Sequence, residues 1–539
     1  MTRLVVVGNG MVGARFVEDL LAADSARRFD VTVVGAEGCE PYNRVLLSEV
    51  VAAKHDVAAL TLPTPVSDRL TVLRGSSAVR LDRADRLVET GDGSRLRYDR
   101  LVLATGAHAR VPPLPGLRTA TGLTSGVHAL RTIDDAREIV AATLNARHAV
   151  VLGGGVLGME AACGLTRRGV GVTVVHPAEA LMERQLDAEA SRVVESAMSG
   201  LGIDQRVGTG AVEALTEEGR LTGLLLDDGS VLPADLLVLA TGTAPETALA
   251  ASAGLTVDRG VVVGADLACA ADRRVAAIGD CAQPPEGASG LVAQGWEQSR
   301  RLAARLCEAA SDATHTATAP SSGAAAAASD VVRLKAHGLD VVTMGVCGVH
   351  RGGDPAQRTL RLSDPEVGRH VEVVVSGGLL VGATCVGAGP VAAELVTTYT
   401  RRFPVPADPA HLLLTALAPR PSVSASPADL PDDATVCRCN GVSRGAIAAC
   451  VADGAGSLGE VAAATRATTG CGGCAADVCG LLAALRPAAT PTAPTSSPTT
   501  SPATSPTASP TTSPTTGVPR EDDVTKGKHM IHSTETAAS

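Results

Sequence analysis

Gly8-Asn9-Gly10-Met11-Val12-Gly13 follows an apolar run, Leu4 to Val7, and leads into a helix-favouring stretch, Ala14 to Ala23. A second apolar run, Val31 to Val34, comes next, so the segment reads as a βαβ opening. Glycines belong where the chain must turn tightly and let a pyrophosphate approach a helix N-terminus. The order recurs 145 positions later: Ala149 to Leu152, then Gly153-Gly154-Gly155-Val156-Leu157-Gly158, then a helix and the strand Val172 to Val175. One such turn is a weak signal. Two in the same strand–turn–helix context define an α/β chain with two dinucleotide-binding units.

Behind them lie two cysteine couplets, Cys437-x-Cys439 and Cys471-x-x-Cys474, separated by 31 residues. Four clustered thiolates hold either zinc or an iron–sulfur cluster. A hydride carries two electrons, an iron–sulfur cluster accepts one, and a flavin handles both, so the motif order reads as an electron circuit. Cys450 and Cys479 fall outside the couplets and are expected as small buried hydrophobes.

Composition narrows the alternatives. At 539 residues the chain has room for three or four domains. Its net charge of −10 and lack of a Lys/Arg run argue against nucleic acid or an anionic membrane as partner. One Trp, three Tyr and three Phe leave little for stacking bases. No apolar run approaches the roughly 18–20 residues of a membrane span. Met1 to Gly13 passes straight into a strand and a turn, so no secretory leader is expected and the cytoplasm is the expected compartment. The thirteen cysteines are then expected as thiols or metal ligands rather than disulfides.

An Ala/Ser/Thr-rich stretch near 310–329 reads as a linker, and a small α+β unit is expected over 330–417, with strands in Leu339 to Val346 and Val371 to Val375. Pro419 to Pro431 reads as a second linker, and the cysteine module as 433–486. The Thr/Pro/Ser repeats of 487–539 offer too little apolar surface to fold, and a disordered low-complexity tail is expected.

Three further motifs accompany the glycine turns: Leu103-Ala104-Thr105-Gly106, Leu239-Ala240-Thr241-Gly242 and Ile278-Gly279-Asp280. The set resembles the two-dinucleotide-binding-domain flavoprotein reductases. The resemblance implies a split FAD domain, 1–115 and 242–310, with an NAD(P)H-binding domain, 116–241, inserted. Tyr42-Asn43-Arg44-Val45-Leu46-Leu47-Ser48 and Leu181-Met182-Glu183-Arg184-Gln185-Leu186-Asp187 narrow it further. They look like the large subunit of NAD(P)H-dependent assimilatory nitrite reductase and the electron-transfer subunit of assimilatory nitrate reductase. The cysteine module looks like the bacterioferritin-associated ferredoxin [2Fe-2S] domain, small and helical. The resemblance covers about residues 1–486.

It implies that Gly8, Gly10 and Gly13 hold the FAD pyrophosphate and that Glu37 accepts the adenosine ribose hydroxyls. Asn43 and Arg44 would line the flavin or its phosphates, beside Thr105 and Gly106. Asp280 would bond the ribityl chain, and Glu297 would close over the isoalloxazine ring. Gly153, Gly155 and Gly158 would cradle NADH or NADPH, with Glu160 near the nicotinamide and Gly242 in the second alanine–threonine–glycine motif. His176 stands where an acid would favour NADH, and decides neither cofactor. Cys437, Cys439, Cys471 and Cys474 would carry a [2Fe-2S] cluster. From the residues alone, the alternatives are a solvated loop acid for Glu37, a surface arginine for Arg44 and a helix cap for Asp280.

Nitrite reductase large subunits continue into a sirohaem half with a further cysteine quartet, which does not occur here. The expected role is electron delivery to an assimilatory nitrate or nitrite reductase catalytic protein, with a homodimer admitted. Reduction of rubredoxin or another small carrier, and a non-catalytic redox-responsive docking module, remain as alternatives. No Cys occupies position 43, so thiol chemistry at the flavin is disfavoured, with Cys39 the residue to check.

Overall fold

A computed structural model describes residues 1–309, 330–350, 354–414, 430–437, 440–470 and 472–485. The expected linkers and the tail lie wholly or largely outside these residues. Met1–Arg486 forms one compact unit.

Its first sheet runs, edge to edge, Ala268–Cys269, Asp272–Ala277, Arg100–Leu103, Thr2–Val7, Phe29–Gly35 and Leu70–Arg74. All pairings after the first are parallel, with Val6 opposite both Val33 and Val102. A parallel strand is covered on both faces, which is why Leu4 to Val7 is apolar without alternation and fully buried. The helix Met11–Ala23 buries Phe16, Val17 and Leu20 on this sheet and turns Arg15, Glu18 and Asp19 away from it.

The second sheet repeats the plan: Val127–Ala129, Leu236–Leu239, His148–Leu152, Gly171–His176 and Ile203–Val207, all parallel. Asp272–Ala277 then rejoins the first sheet, so the chain leaves the first unit, builds the second, and returns. Ala107–Ala109 and Thr243–Pro245 pair antiparallel where the two crossings meet. Both glycine-turn helices begin earlier than the sequence implies, at Met11 and Val156. Gly10 and Gly155 are their N-caps in extended backbone, which draws the third glycine of each turn into the first helical turn.

A third, antiparallel sheet orders Val332–Arg333, Val341–Gly345, Leu379–Val386, Arg369–Ser376 and Arg358–Asp364. The helix Gly389–Arg401 packs Ala392, Leu395 and Val396 into the same core as Met344, Val373 and Ala383. The cysteine module has a two-strand ladder, Thr435–Cys437 with Val442–Ser443, and helices Arg444–Ala452, Leu458–Thr465 and Ala475–Leu485. Cys450 is buried there as expected, but Cys479 is exposed. Val478, Leu481 and Leu482 form the inward stripe of their helix, which leaves position 479 on the outer face.

Candidate functional site: two glycine turns and a cysteine module

The two glycine turns are built alike. Gly8 and Gly153 both have φ of +115°, and a Cβ on them would lie 2.1 Å from Ala104 O and 2.4 Å from Ala240 O. These are the alanines of the two alanine–threonine–glycine motifs, so each motif walls in one turn. A Cβ on Gly13 would lie 2.0 Å from Gly8 O, and one on Gly158 1.8 Å from Gly153 O. A Cβ on Gly10 or Gly155 would instead meet nothing within 4 Å. The middle glycine of each turn therefore faces open space at a helix N-terminus with no side-chain cap, where free N–H groups and the helix dipole favour an anion. In the first turn Asn9 Nδ2 is buried without a hydrogen-bond partner.

Around the first turn, Glu37 accepts from the Tyr42 hydroxyl (2.7 Å) and from Arg44. Arg44 also donates to Arg131 O (2.7 Å) and lies over the Tyr42 ring. Burial pushes the Tyr42 hydroxyl well above its usual range, so it remains a donor. Neither Glu37 nor Arg44 is the loose surface group that the residues alone allow. Thr105 donates to Glu246 O (2.6 Å), and Gly106 has φ of +72°. Asp280, on the turn after Asp272–Ala277, pairs with Arg131 (2.8 Å), whose Nε donates to Ala107 O. Glu297 is half-buried and paired with Arg300 (2.6 Å); it is its neighbour Gln298 that turns inward and accepts from Gly279 N (2.7 Å). Burial and the Glu37 carboxylate raise the Cys39 thiol, which keeps it protonated.

At the second turn, His176 is buried. Gly154 N donates to its Nδ1 (3.2 Å), which leaves Nε2 to donate to Glu183 (2.9 Å). The histidine thus carries a carboxylate to the end of its strand. Gly242 has φ of +91° and accepts from Arg110 N (2.9 Å). Glu160, 3% exposed, accepts from Ser48 Oγ (2.5 Å) and from the backbone N (2.9 Å) and Nζ (2.8 Å) of Lys335. It joins all three sheet-bearing parts of the chain, an anchoring role that its place on the helix does not announce.

In the cysteine module Cys437 and Cys474 are buried in one apolar core. Cys439 and Cys471 lie outside the described residues. Asn440 Nδ2 approaches Cys437 Sγ at 3.7 Å. Asn43, expected beside the flavin or its phosphates, accepts from Val45 N (3.1 Å) through its Oδ1, and its Nδ2 donates to Thr469 O (2.8 Å) and Gly470 O (2.5 Å). Its amide N–H groups thus hold the cysteine module. Among the described residues one further group of potential ligands occurs, Asp187, His370 and Glu372; the Arg361 guanidinium pairs with Asp187 (3.1 Å) and Glu372 (2.7 Å) and already supplies a positive charge there.

Residues 2–301 match the family model for pyridine nucleotide-disulphide oxidoreductases, more than half of the chain. The chain belongs to that family. Residues 435–484 match a BFD-like [2Fe-2S] binding domain, which decides between iron–sulfur and zinc for the couplets. Nitrite reductase (NAD(P)H) of Bacillus subtilis is 33% identical over 481 residues, 88% of this chain and 56% of that protein. The assimilatory nitrate reductase electron transfer subunit of the same organism is 29% identical over 88% of this chain and 58% of its own length. The chain spans little more than half the length of these relatives. Among solved structures, the covalent putidaredoxin reductase–putidaredoxin complex superposes with a TM-score of 0.64 at 25% identity, covering 78% of this chain and 99% of that one.

As a member of this oxidoreductase family, the chain takes FAD and NAD(P)H, with a [2Fe-2S] cluster on the second match. Its own residues fit these groups. Open glycines and bare N-termini suit two pyrophosphates, the orphaned Asn9 amide suits a polar ligand at the first turn, and buried thiols with an N–H directed at sulfur suit iron. Asn9, Arg131, Gln298, Glu183 and Lys335 escaped the sequence reading. Only Asn9 and Glu183 stood inside quoted motifs, and nothing in their spacing marks them. Among the described residues no helix is long and apolar enough to cross a membrane.

Proposed function

We propose that the chain is an NAD(P)H-dependent FAD/[2Fe-2S] oxidoreductase that delivers electrons to an assimilatory nitrate or nitrite reductase catalytic protein. The observation that carries this reading is Asn43. It lies in the segment whose next residue, Arg44, ties Glu37 to Arg131 and so to Asp280, and its own amide holds the loop Thr469–Gly470 of the cysteine module. A contact of this kind supports electron flow between the two parts of one chain. FAD, when bound, supplies the conversion of a two-electron hydride into single electrons.

The protein's own share is positioning. The first glycine turn, Glu37, Arg44, Thr105, Gly106 and Asp280 would hold FAD; the second turn, Gly242 and the His176–Glu183 pair would hold the nicotinamide dinucleotide. Cys437, Cys439, Cys471 and Cys474 would ligate the cluster. The reading assigns 1–115 and 242–310 to FAD, 116–241 to the nicotinamide and 433–486 to the cluster, in a cytoplasmic protein whose solution mass would reveal a homodimer. The purified chain, NADH and a nitrate or nitrite reductase catalytic protein, mixed anaerobically, should give partner turnover that requires all three. Turnover of an artificial acceptor without any partner reduction would return the chain to the small-carrier alternative.

The cofactor should be NADH. The Glu183 carboxylate, held by His176, occupies the strand end where an acid bonds the ribose 2′-hydroxyl, and it would oppose a 2′-phosphate. A charge-assisted hydrogen bond contributes about 1.5–3 kcal/mol, so Glu183→Arg should lower kcat/KM for NADH by about ten- to a hundredfold and raise it for NADPH. Unchanged values with both cofactors would place the ribose elsewhere.

A further inference from the structure

Beyond Asn43, the cysteine module meets the first unit through a second set of contacts on the outer face of the helix Met11–Ala23. Arg15 NH1 donates to Asn440 Oδ1 (3.0 Å), and Arg466 pairs with Glu18. Arg15 is itself fixed by Asp19 (2.8 Å) and lies 5.8 Å from the centroid of the buried Trp296 ring. Across the contact, Asn440 Nδ2 reaches Arg466 O (2.7 Å), Thr469 Oγ1 (3.2 Å) and Cys437 Sγ (3.7 Å). Arg466 and Thr468 both take positive φ, +62° and +70°, which non-glycine residues adopt only under constraint. A Cβ on Gly472 would lie 3.2 Å from Leu46 Cδ2, so the module's next turn also abuts the Asn43 segment. The Arg15–Asn440 and Arg466–Glu18 contacts join residues more than 400 positions apart, and the side chains of Arg15, Glu18 and Arg466 are at least two-thirds shielded from solvent.

We propose that this face fixes the cysteine module in an electron-accepting position on the flavin unit, and that Asn440 is the positioning residue linking the face to the cluster. One end of its amide is held by the flavin unit's Arg15 and the other donates to the sulfur of Cys437. An N–H directed at a cluster sulfur stabilises the added negative charge of the reduced state and so raises the potential. An amide bridging both parts therefore couples docking to the readiness of the cluster to accept an electron. The proposal rests on the electron-transfer reading above and adds the face and the residue that tunes it.

Two experiments test it in the full-length, cofactor-loaded protein. In a redox titration followed by electron paramagnetic resonance, Asn440→Leu should make the cluster about tenfold harder to reduce, about 59 mV for one electron. A potential within about 18 mV of wild type, a twofold change in the reduction equilibrium, with iron retained, would remove Asn440 from the role. Independently, Glu18→Arg and Arg466→Glu should each slow cluster bleaching after anaerobic mixing with NADH by about tenfold, with ferricyanide reduction unchanged, and the double charge swap should restore it. Single variants as fast as wild type, or a swap that restores nothing, would overturn the docking face. Failure of NADH to reduce the wild-type cluster would instead defeat the electron-transfer reading itself.

Discussion

Gly13→Ala should yield a protein that loses FAD, whereas Gly158→Ala should keep FAD and lose its nicotinamide-dependent turnover. The added methyl would lie 2.0 Å from Gly8 O in the first case and 1.8 Å from Gly153 O in the second, far inside contact distance and against backbone that cannot swing aside. The helix must then back away from its own turn, and the N–H groups that face the pyrophosphate move with it. Overpacking of this kind costs about 1–3 kcal/mol, which weakens binding by about five- to 150-fold if it falls on the turn. FAD per chain after gel filtration and KM for NADH distinguish the two variants. Full FAD occupancy in Gly13→Ala, or loss of flavin in Gly158→Ala, would show that the two turns are not divided between the two cofactors as assigned.

Cys437→Ser should abolish reduction of the partner reductase while NADH-driven reduction of ferricyanide persists. Cys437 is fully buried in the core of its module, far in sequence from either glycine turn. A serine oxygen is a poorer iron ligand than a thiolate, so the cluster is lost or its potential altered. The small acceptor needs only the nicotinamide, the flavin and the units that hold them. Iron content, ferricyanide activity and partner-coupled turnover are measured on the same preparation. Partner turnover near wild type with the cluster gone would mean that electrons leave directly from the flavin.

The parts of this molecule that the sequence made legible are those that backbone geometry demands locally. Two glycine turns can be read because a φ of +115° and a 2 Å approach admit nothing else, and their apolar strands because parallel sheets bury both faces. The cysteine couplets can be read because a cluster fixes their spacing. What stayed hidden comes from contacts between distant segments. Asn43 reads as a flavin residue by its motif, yet its partners are Thr469 and Gly470, which no local pattern connects to it. Glu160 draws its cation from Lys335 in the third sheet's segment, and His176 borrows its carboxylate from Glu183. Cys479 departs from its expected burial for a simpler reason: helical phase, set by Val478, Leu481 and Leu482, puts it outside.

Electrons should follow a single circuit from nicotinamide through flavin to cluster within this chain. Anaerobic stopped-flow mixing of the purified, iron-loaded protein with NADH, watching flavin and cluster absorbance together, tests it most directly. Flavin bleaching should be followed by cluster bleaching in the same molecules, without added mediator. A flavin that is reduced beside a cluster that stays oxidised, or a preparation holding zinc and no iron, would contradict it.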